Sequence, residues 1–475
     1  MSSSKLPPQL IGLALAALLL TCWGAQPDRL AREALTQPGT TYYVATTGDD
    51  AHPGTITQPW RTIQKAADTL TAGETVYIRA GTYPERVIPQ NSGSDSDHYI
   101  TYAAYPGEAV TLDGSGLSVP TDEGLFFVNG QHYLRLSGLR IINSAYAGIL
   151  VDHSSYISLE QNSTYNTASS GIGVWGSDHI TIDGNEVELA CSNGMQESLT
   201  VAGTDTFEVK NNHVHNGPAG YNKEGICVKD GASNGKVYQN RVDHTRAVGI
   251  YVDAWDKHTF NIDVFQNVVH DVSAMGIALA SEQGGQLEHI RVYNNIAYHN
   301  QLVGLWVSGC CSPPASHPIT DIQIINNTFY NNGWEPWGGG IALDNNPAIQ
   351  AVTIRNNLCS QNLSFQIAVD AAVPTQTLTV DHNLIDGYRG GEGEIYGEDH
   401  VEGDPLLVNP TGADSHLQPT SPAIDTGSAV DAPADDFDRH LRPLDGNTDG
   451  AAAFDIGAYE FSPWRVYLPI VAKEY

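Results

Sequence analysis

Glu224-Gly-Ile-Cys-Val-Lys-Asp-Gly231 and, one repeat later, Gly249-Ile-Tyr-Val-Asp-Ala-Trp-Asp256 decide the fold. Each reads as a short strand that opens on Gly-Ile, with Val two residues after the Ile. Ile226 and Val228 alternate with Cys227 and Lys229, so the two sets face opposite sides of a sheet. The Ile/Val side is core. The other side carries Lys229 in one repeat and Asp253 at the equivalent place in the next.

Outward from this pair the pattern recurs from about residue 125. The aligned apolar positions run from Ile149 through Ile172, Leu199, Ile226, Ile250, Ile277, Leu305 and Ile341 to Ile367, each followed two residues later by Val or Leu. A second strand in each repeat ends in an asparagine: Asn162, Asn185, Asn212, Asn240, Asn267, Asn295, Asn327, Asn357 and Asn383. The step between them runs from 23 residues (162 to 185) to 32 (295 to 327), so insertions sit in turns. Short strands at such a period, without helices, predict an all-β solenoid of parallel strands in which each turn buries its apolar face on its neighbours. One such Asn is a turn residue. Nine in register are a ladder whose amides bond one coil to the next.

Ahead of the repeats lies the one good helical pattern, with Ile63, Ala66, Ala67 and Leu70 on one face and Gly73 at its end. It suits a cap over the open end of the stack. Residues 1–25 read as an export signal, with Lys5 before an apolar run from Leu10 to Leu20 and small residues at Gly24 and Ala25. That run is short for a membrane span, and no later segment replaces it. Residues 26–39 read as a linker, 40–124 as the amino-terminal cap with the first coils, 125–400 as the solenoid, 401–462 as a carboxy-terminal cap, and 463–475 as a tail. In that cap Asp435, Asp436, Asp438, Asp445, Asn447, Asp449 and Asp455 suit either Ca²⁺ or a solvated acidic turn.

The chain has 475 residues and carries 54 Asp and Glu against 23 Lys and Arg, a formal charge of −31. That surface excludes nucleic acid and anionic membranes as partners, and repels an anionic polysaccharide unless cations intervene. Five cysteines remain beyond the signal: Cys191, Cys227, Cys310, Cys311 and Cys359. They are too few and too scattered for a disulfide framework, although the vicinal pair leaves a strained disulfide or two thiols open. No Cys-x-x-Cys pair points to zinc, and His258, His270 and His289 are expected as solvated turn residues. Trp334 and Trp337 are expected to pack within their loop.

Tyr42-Tyr-Val, Gly48-Asp-Asp, Trp60-Arg-Thr-Ile-Gln-Lys-Ala and Ala80-Gly-Thr-Tyr-Pro-Glu-Arg-Val resemble the amino ends of secreted bacterial proteins of the pectate-lyase-like superfamily. With the repeats, they imply a single-stranded right-handed parallel β-helix over about residues 42–400. Gly403-Asp-Pro-Leu, His416-Leu-Gln-Pro-Thr-Ser-Pro-Ala-Ile-Asp-Thr-Gly427 and Asp455-Ile-Gly-Ala-Tyr-Glu460 resemble the choice-of-anchor tail seen after such helices. The superfamily holds lyases, hydrolases, epimerases and non-enzymatic surface proteins, so activity has to come from the site.

Stacking the coils gathers one. Three residues after the aligned Ile the outward column reads Asp152, Trp175, Ala202, Lys229, Asp253, Ala280, Ser308, Asp344. Two residues before it stand Glu197 and Glu224, and one after it Tyr251 and Trp306. Trp175, Tyr251, Trp255, Trp306 and Glu282 are the expected sugar-binding residues, and Ala202 and Ala280 are expected to leave room for a glycan. Glu197, Glu224, Asp230, Asp253 and Asp256 are oxygen ligands suited to Ca²⁺. The chemistry that fits is β-elimination of a uronate polysaccharide, with Lys229 as base at a lowered pKa and Asp253 and Arg246 beside it. The Glu224-x4-Lys229 spacing resembles that of the alginate-lyase and chondroitinase-B type family. Arg246 is the nearest candidate for that family's arginine, and the Asp cluster before the lysine in β-helical pectate lyases is not reproduced. Two rivals share the scaffold: a glycoside hydrolase pairing Asp253 with Glu224 or Glu282, and a non-catalytic carbohydrate-binding protein in which Lys229 and Asp253 form a surface ion pair. In each reading the protein is a monomer, secreted or held at the cell surface.

Overall fold

The computed structural model describes residues 39–220, 223–309, 316–334 and 337–463. The export signal, Cys310, Cys311 and the last twelve residues lie outside that set. The chain winds into a parallel β-helix of three sheets, with 13 strands in each of two and 10 in the third. Every strand of a sheet pairs with its equivalent one coil away. Ile226 stands against Leu199 on one side and Ile250 on the other, the register read from the Gly-Ile repeat. Six strands of the third sheet frame the site: β1 (Ile172–Trp175), β2 (Leu199–Ala202), β3 (Ile226–Lys229), β4 (Ile250–Asp253), β5 (Ile277–Ala280) and β6 (Leu305–Ser308).

The Gly of Gly-Ile is a packing requirement. A Cβ on Gly225 would meet the Gly249 carbonyl oxygen at 2.6 Å, and one on Gly249 the Gly276 oxygen at 2.7 Å. Any side chain there would push the coils apart. The asparagines form the expected ladder. Asn240 Nδ2 donates to Asn267 Oδ1 at 3.0 Å, Asn267 to Asn295 at 2.9 Å, and the links continue unbroken from Asn162 to Asn383. Before most of them stands a residue at positive φ, such as Gln266 (53°) or Asn326 (54°), which turns the chain between the first two sheets.

Three features depart from the sequence reading. Each coil has a third strand after the ladder Asn, such as His213–His215, only three residues long. A second, shorter amide row runs Asn300, Asn332, Asn362, Gln366 inside the helix. Part of the carboxy-terminal segment also takes a lateral course. The carboxyl end is covered by residues 393–402, whose backbone bonds back to Val369, His382 and Asn383. Residues 428–461 instead run along the side of the solenoid. Gln266, Asn294, Asn326 and Asn356, on four consecutive coils, donate to the carbonyls of Asp436, Asp435, Asp455 and Ser428 at 2.8–2.9 Å.

At the other end, α1 (Ile63–Thr69) covers the core as expected. Thr62 caps it, and the Glu85 carboxylate takes the Ile63 and Gln64 N–H groups. Among the described residues no helix is long and apolar enough to cross a membrane.

Candidate functional site

β3 carries Lys229 at its outer end, opposite Ala202 of β2, and Trp175 of β1 lies in the same column. Lys229 Nζ donates to Glu197 Oε1 at 2.7 Å and reaches Gln196 Oε1 at 3.5 Å. Glu197 sits in the turn leading into β2, where its other oxygen takes the Thr200 hydroxyl at 3.0 Å. The ion pair therefore joins successive coils. Lys229 and Asp253, the expected surface pair, are not bonded to each other.

The lysine's proton affinity also runs against expectation. Burial alone pulls the ammonium down, but the Glu197 carboxylate, through its charge and its hydrogen bond, and Asp230 outweigh it and hold Lys229 above its ordinary value. Cys227 is itself pushed well up by burial and is a neutral thiol at neutral pH, so Glu197 is the partner that counts there. Glu224 is pushed up to about 7 by burial and by the Glu197 carboxylate. Asp230 is raised by burial, with Asp256 and Glu197 adding to it and Lys229 and Lys257 opposing it. Its Oδ1 is buried with no hydrogen-bond partner.

Asp253 is a different case. It is 1% exposed, and its Oδ1 takes the Glu282 N–H at 3.1 Å. Burial pushes its carboxyl up to about 7. It anchors the turn after β5 from a buried position, which does not match the exposed catalytic and ligand roles expected for it. Tyr251 is also covered, at 6% exposed, with its hydroxyl on Glu282 Oε1 at 2.5 Å. It packs in an outer apolar cluster with Cys227, Val248, Ala278 and Ala280, against Met275 and Trp306. The room expected beside Ala202 and Ala280 is filled, since both are buried. Arg246 gives its Nε to the Gly217 carbonyl at 3.3 Å instead of to a group of the site.

The aromatic expectations divide. Trp175 lines a cavity of about 120 Å³ with Asp122, Tyr146, Leu150 and Asp152. Trp306 donates to Asp344 Oδ2 at 3.2 Å. Trp255 is open to solvent at 40% exposed, and Trp334 and Trp337 are exposed rather than packed away. His270 is buried against Asp271 and Tyr298, not solvated. In the lateral segment Asp445, Asn447 and Asp449 cap the N–H groups of their own turn, and Asp455 is internal, which favours the acidic-turn reading. Gln196 was missed. Only its place beside Glu197 could have pointed to it.

The donor set suits a hard cation: all oxygen, two carboxylates in mutual repulsion, one buried oxygen unpartnered. The expected five do not form a ready cage. Among the described residues, the group of His, Cys, Asp or Glu ligand atoms lying within 4.8 Å of one another is Glu186, His213 and His215, on another sheet.

Residues 42–335 match the family described as Pel9A-like, right handed beta helix region. The chain belongs to that family. Residues 286–385 also match the more general right handed beta helix region. Among relatives of the Pel9A-like chain, uncharacterized protein YwoF of Bacillus subtilis (strain 168) is 28% identical over 439 residues, 80% of this chain and 91% of that protein. Pectate lyase PEL9 of Emericella nidulans is 34% identical over 125 residues, 24% of this chain and 30% of its own. The crystal structure of pectate lyase Pel9A superposes with a TM-score of 0.53 at 16% identity, over 89% of this chain and 96% of that one, a likeness of fold.

Proposed function

We propose that this protein is an exported lyase that cleaves a uronate-containing polysaccharide by β-elimination, with Lys229 as the base. The observation that carries the reading is Lys229 at the mouth of β3, bonded to Glu197 with Glu224 and Asp230 around it. Membership of the Pel9A-like family supports the reading, as does the segment shared with a pectate lyase.

Neutral Lys229 takes the proton from the sugar carbon α to the carboxylate. The electron pair left behind forms the new carbon–carbon double bond, and the glycosidic oxygen departs with the electrons of its bond and is protonated from solvent. Glu197 positions the lysine and, at rest, keeps it protonated. Glu197, Glu224 and Asp230 would hold Ca²⁺, whose charge would stabilise the enolate-like transition state and offset repulsion between the −31 chain and an acidic glycan. Trp175 and Trp255 offer rings to the sugars.

The test is turnover of pectate, alginate and glycosaminoglycans with added Ca²⁺, followed by the ultraviolet absorbance of the unsaturated product. Lys229→Gln should abolish it. A hydrolase is the second reading, favoured by Glu224, which at about 7 is poised as a general acid beside Glu197. It yields reducing ends without absorbance, survives Lys229→Gln and is lost in Glu224→Gln. Retention of glycan without either product would leave a binding protein.

A further inference from the structure

We propose that Glu186, His213 and His215 form a transition-metal site that staples two adjacent coils on the second sheet, separate from the Lys229 cluster on the third. Strands Glu186–Glu188 and His213–His215 pair in parallel, with Glu186 opposite His213 and Glu188 opposite His215. A spacing of two puts both imidazoles on one face of the sheet. Their rings lie 4.0 Å apart and 19° from parallel.

The ligand atoms of all three residues lie within 4.8 Å of one another. Glu186 Oε1 and His215 Nε2 are 3.3 Å apart. Ligands about 2.0–2.1 Å from a tetrahedral zinc stand about 3.3–3.4 Å from each other, so this pair already has the separation of two ligands on one ion.

Asp243, from the next coil, supplies the supporting contact. His213 Nε2 meets Asp243 Oδ1 at 2.8 Å. With Nε2–H as the donor, the lone pair is on Nδ1, the arrangement by which a carboxylate orients a metal-binding imidazole. Asp243 is itself buried and fixed by Arg241 Nε and by the His244 ring, each at 2.8 Å. Two imidazoles and one carboxylate select a borderline metal such as Zn²⁺, Ni²⁺ or Cu²⁺ over Ca²⁺. The clamp falls on three-residue strands, where the ladder hydrogen bonds are fewest.

The experiment uses the whole chain, stripped with chelator and titrated with Zn²⁺ by calorimetry, with Cu²⁺ electron paramagnetic resonance in parallel. A single saturable site is expected, with nitrogen hyperfine structure for Cu²⁺ and a rise in Tm on loading. His215→Ala and His213→Ala should each weaken Zn²⁺ by about tenfold or more. Glu186→Gln, at an exposed position that leaves folding intact, should weaken it too. His299→Ala, outside the group, should not. Saturable binding that persists unchanged in a Glu186→Gln/His213→Ala double variant overturns the assignment. So does a Cu²⁺ spectrum without nitrogen, or no saturable binding in the parent.

Discussion

Lys229 Nζ and Glu197 Oε1 meet at 2.7 Å although 32 residues separate them in the chain. The pair holds the ammonium above its ordinary range. A cation whose folded pKa is raised contributes stability that is full below the unfolded value and fades as pH rises through the folded one. The same pull makes the neutral lysine scarce near pH 7. Lyase turnover should therefore climb across the alkaline range, roughly pH 8 to 11. Glu197→Gln should move the climb to lower pH. Initial rates followed by product absorbance read this directly, and a flat profile in parent and variant would rule Lys229 out as base.

The ladder predicts a large local cost. Asn267 Oδ1 takes the Asn240 backbone N–H and Nδ2, while its own Nδ2 serves the Val237 carbonyl at 2.9 Å and Asn295 Oδ1 at 2.9 Å. Asn267→Ala strands these groups in a buried interior. Each unsatisfied polar group costs about 1–3 kcal/mol, so a loss of roughly 4 kcal/mol is expected. Asn383→Ala, at the end of the row, should lose less. Denaturant midpoints at unchanged slope measure both, and equal small losses would deny the ladder its role.

Asp253 gives stability a pH slope of the same sign in a lower window, since its folded pKa is raised as well. Its folded pKa is raised to about 7, so between its unfolded value and that point the native state binds the extra proton. Stability then falls as pH rises through this window and is highest at its acid end. The full effect is on the order of 4 kcal/mol, from about three pKa units. Asp253→Asn keeps an acceptor for the Glu282 N–H but cannot ionise, so its stability should vary less from about pH 4 to 7. Parallel slopes for parent and variant would assign the dependence elsewhere.

The sequence could carry the coil register because stacking imposes it on every repeat. Glycine precedes the aligned residue in seven of the nine coils, with Ser198 and Gln366 in the other two, and asparagine holds the corner in all nine, so both signals persist through loops of varying length. The three-residue strands were invisible for a physical reason: His213-Val-His215 is too short for alternation to differ from chance. The Lys229 and Glu197 columns were legible, but not which carboxylate the ammonium would choose. Strand register places Asp253 one coil after Lys229, and only the turns show its carboxyl folded inward onto the Glu282 N–H. The lateral course of residues 428–461 was hidden because its contacts come from Gln266, Asn294, Asn326 and Asn356, each one residue before a ladder Asn and outside any periodic apolar pattern.

That lateral segment hangs on one buried ion pair. Arg442 Nη1 lies 3.1 Å from Glu460 Oε1, and both side chains are 0% exposed. The guanidinium also reaches Asn294 Oδ1 at 3.3 Å and the Gly457 carbonyl at 3.0 Å, tying the segment to the solenoid wall. Removing Arg442 takes the guanidinium's charge away from a fully buried carboxylate, and breaking a buried pair in this way costs about 3–5 kcal/mol. The coils beneath keep their own ladder and core, so the loss should be local and not global. Arg442→Ala is therefore expected to open residues 428–461 to limited proteolysis while the β-helix before residue 400 resists digestion. Arg442→Met fills the space but leaves the Glu460 carboxylate, still held by the Leu444 and Asp455 N–H groups, without the guanidinium's charge, and should be nearly as sensitive. Arg442→Met with Glu460→Leu removes both charges and should recover much of the resistance. Equal protection of the single variants and the parent would place the docking energy in the Gln266, Asn294, Asn326 and Asn356 amides instead.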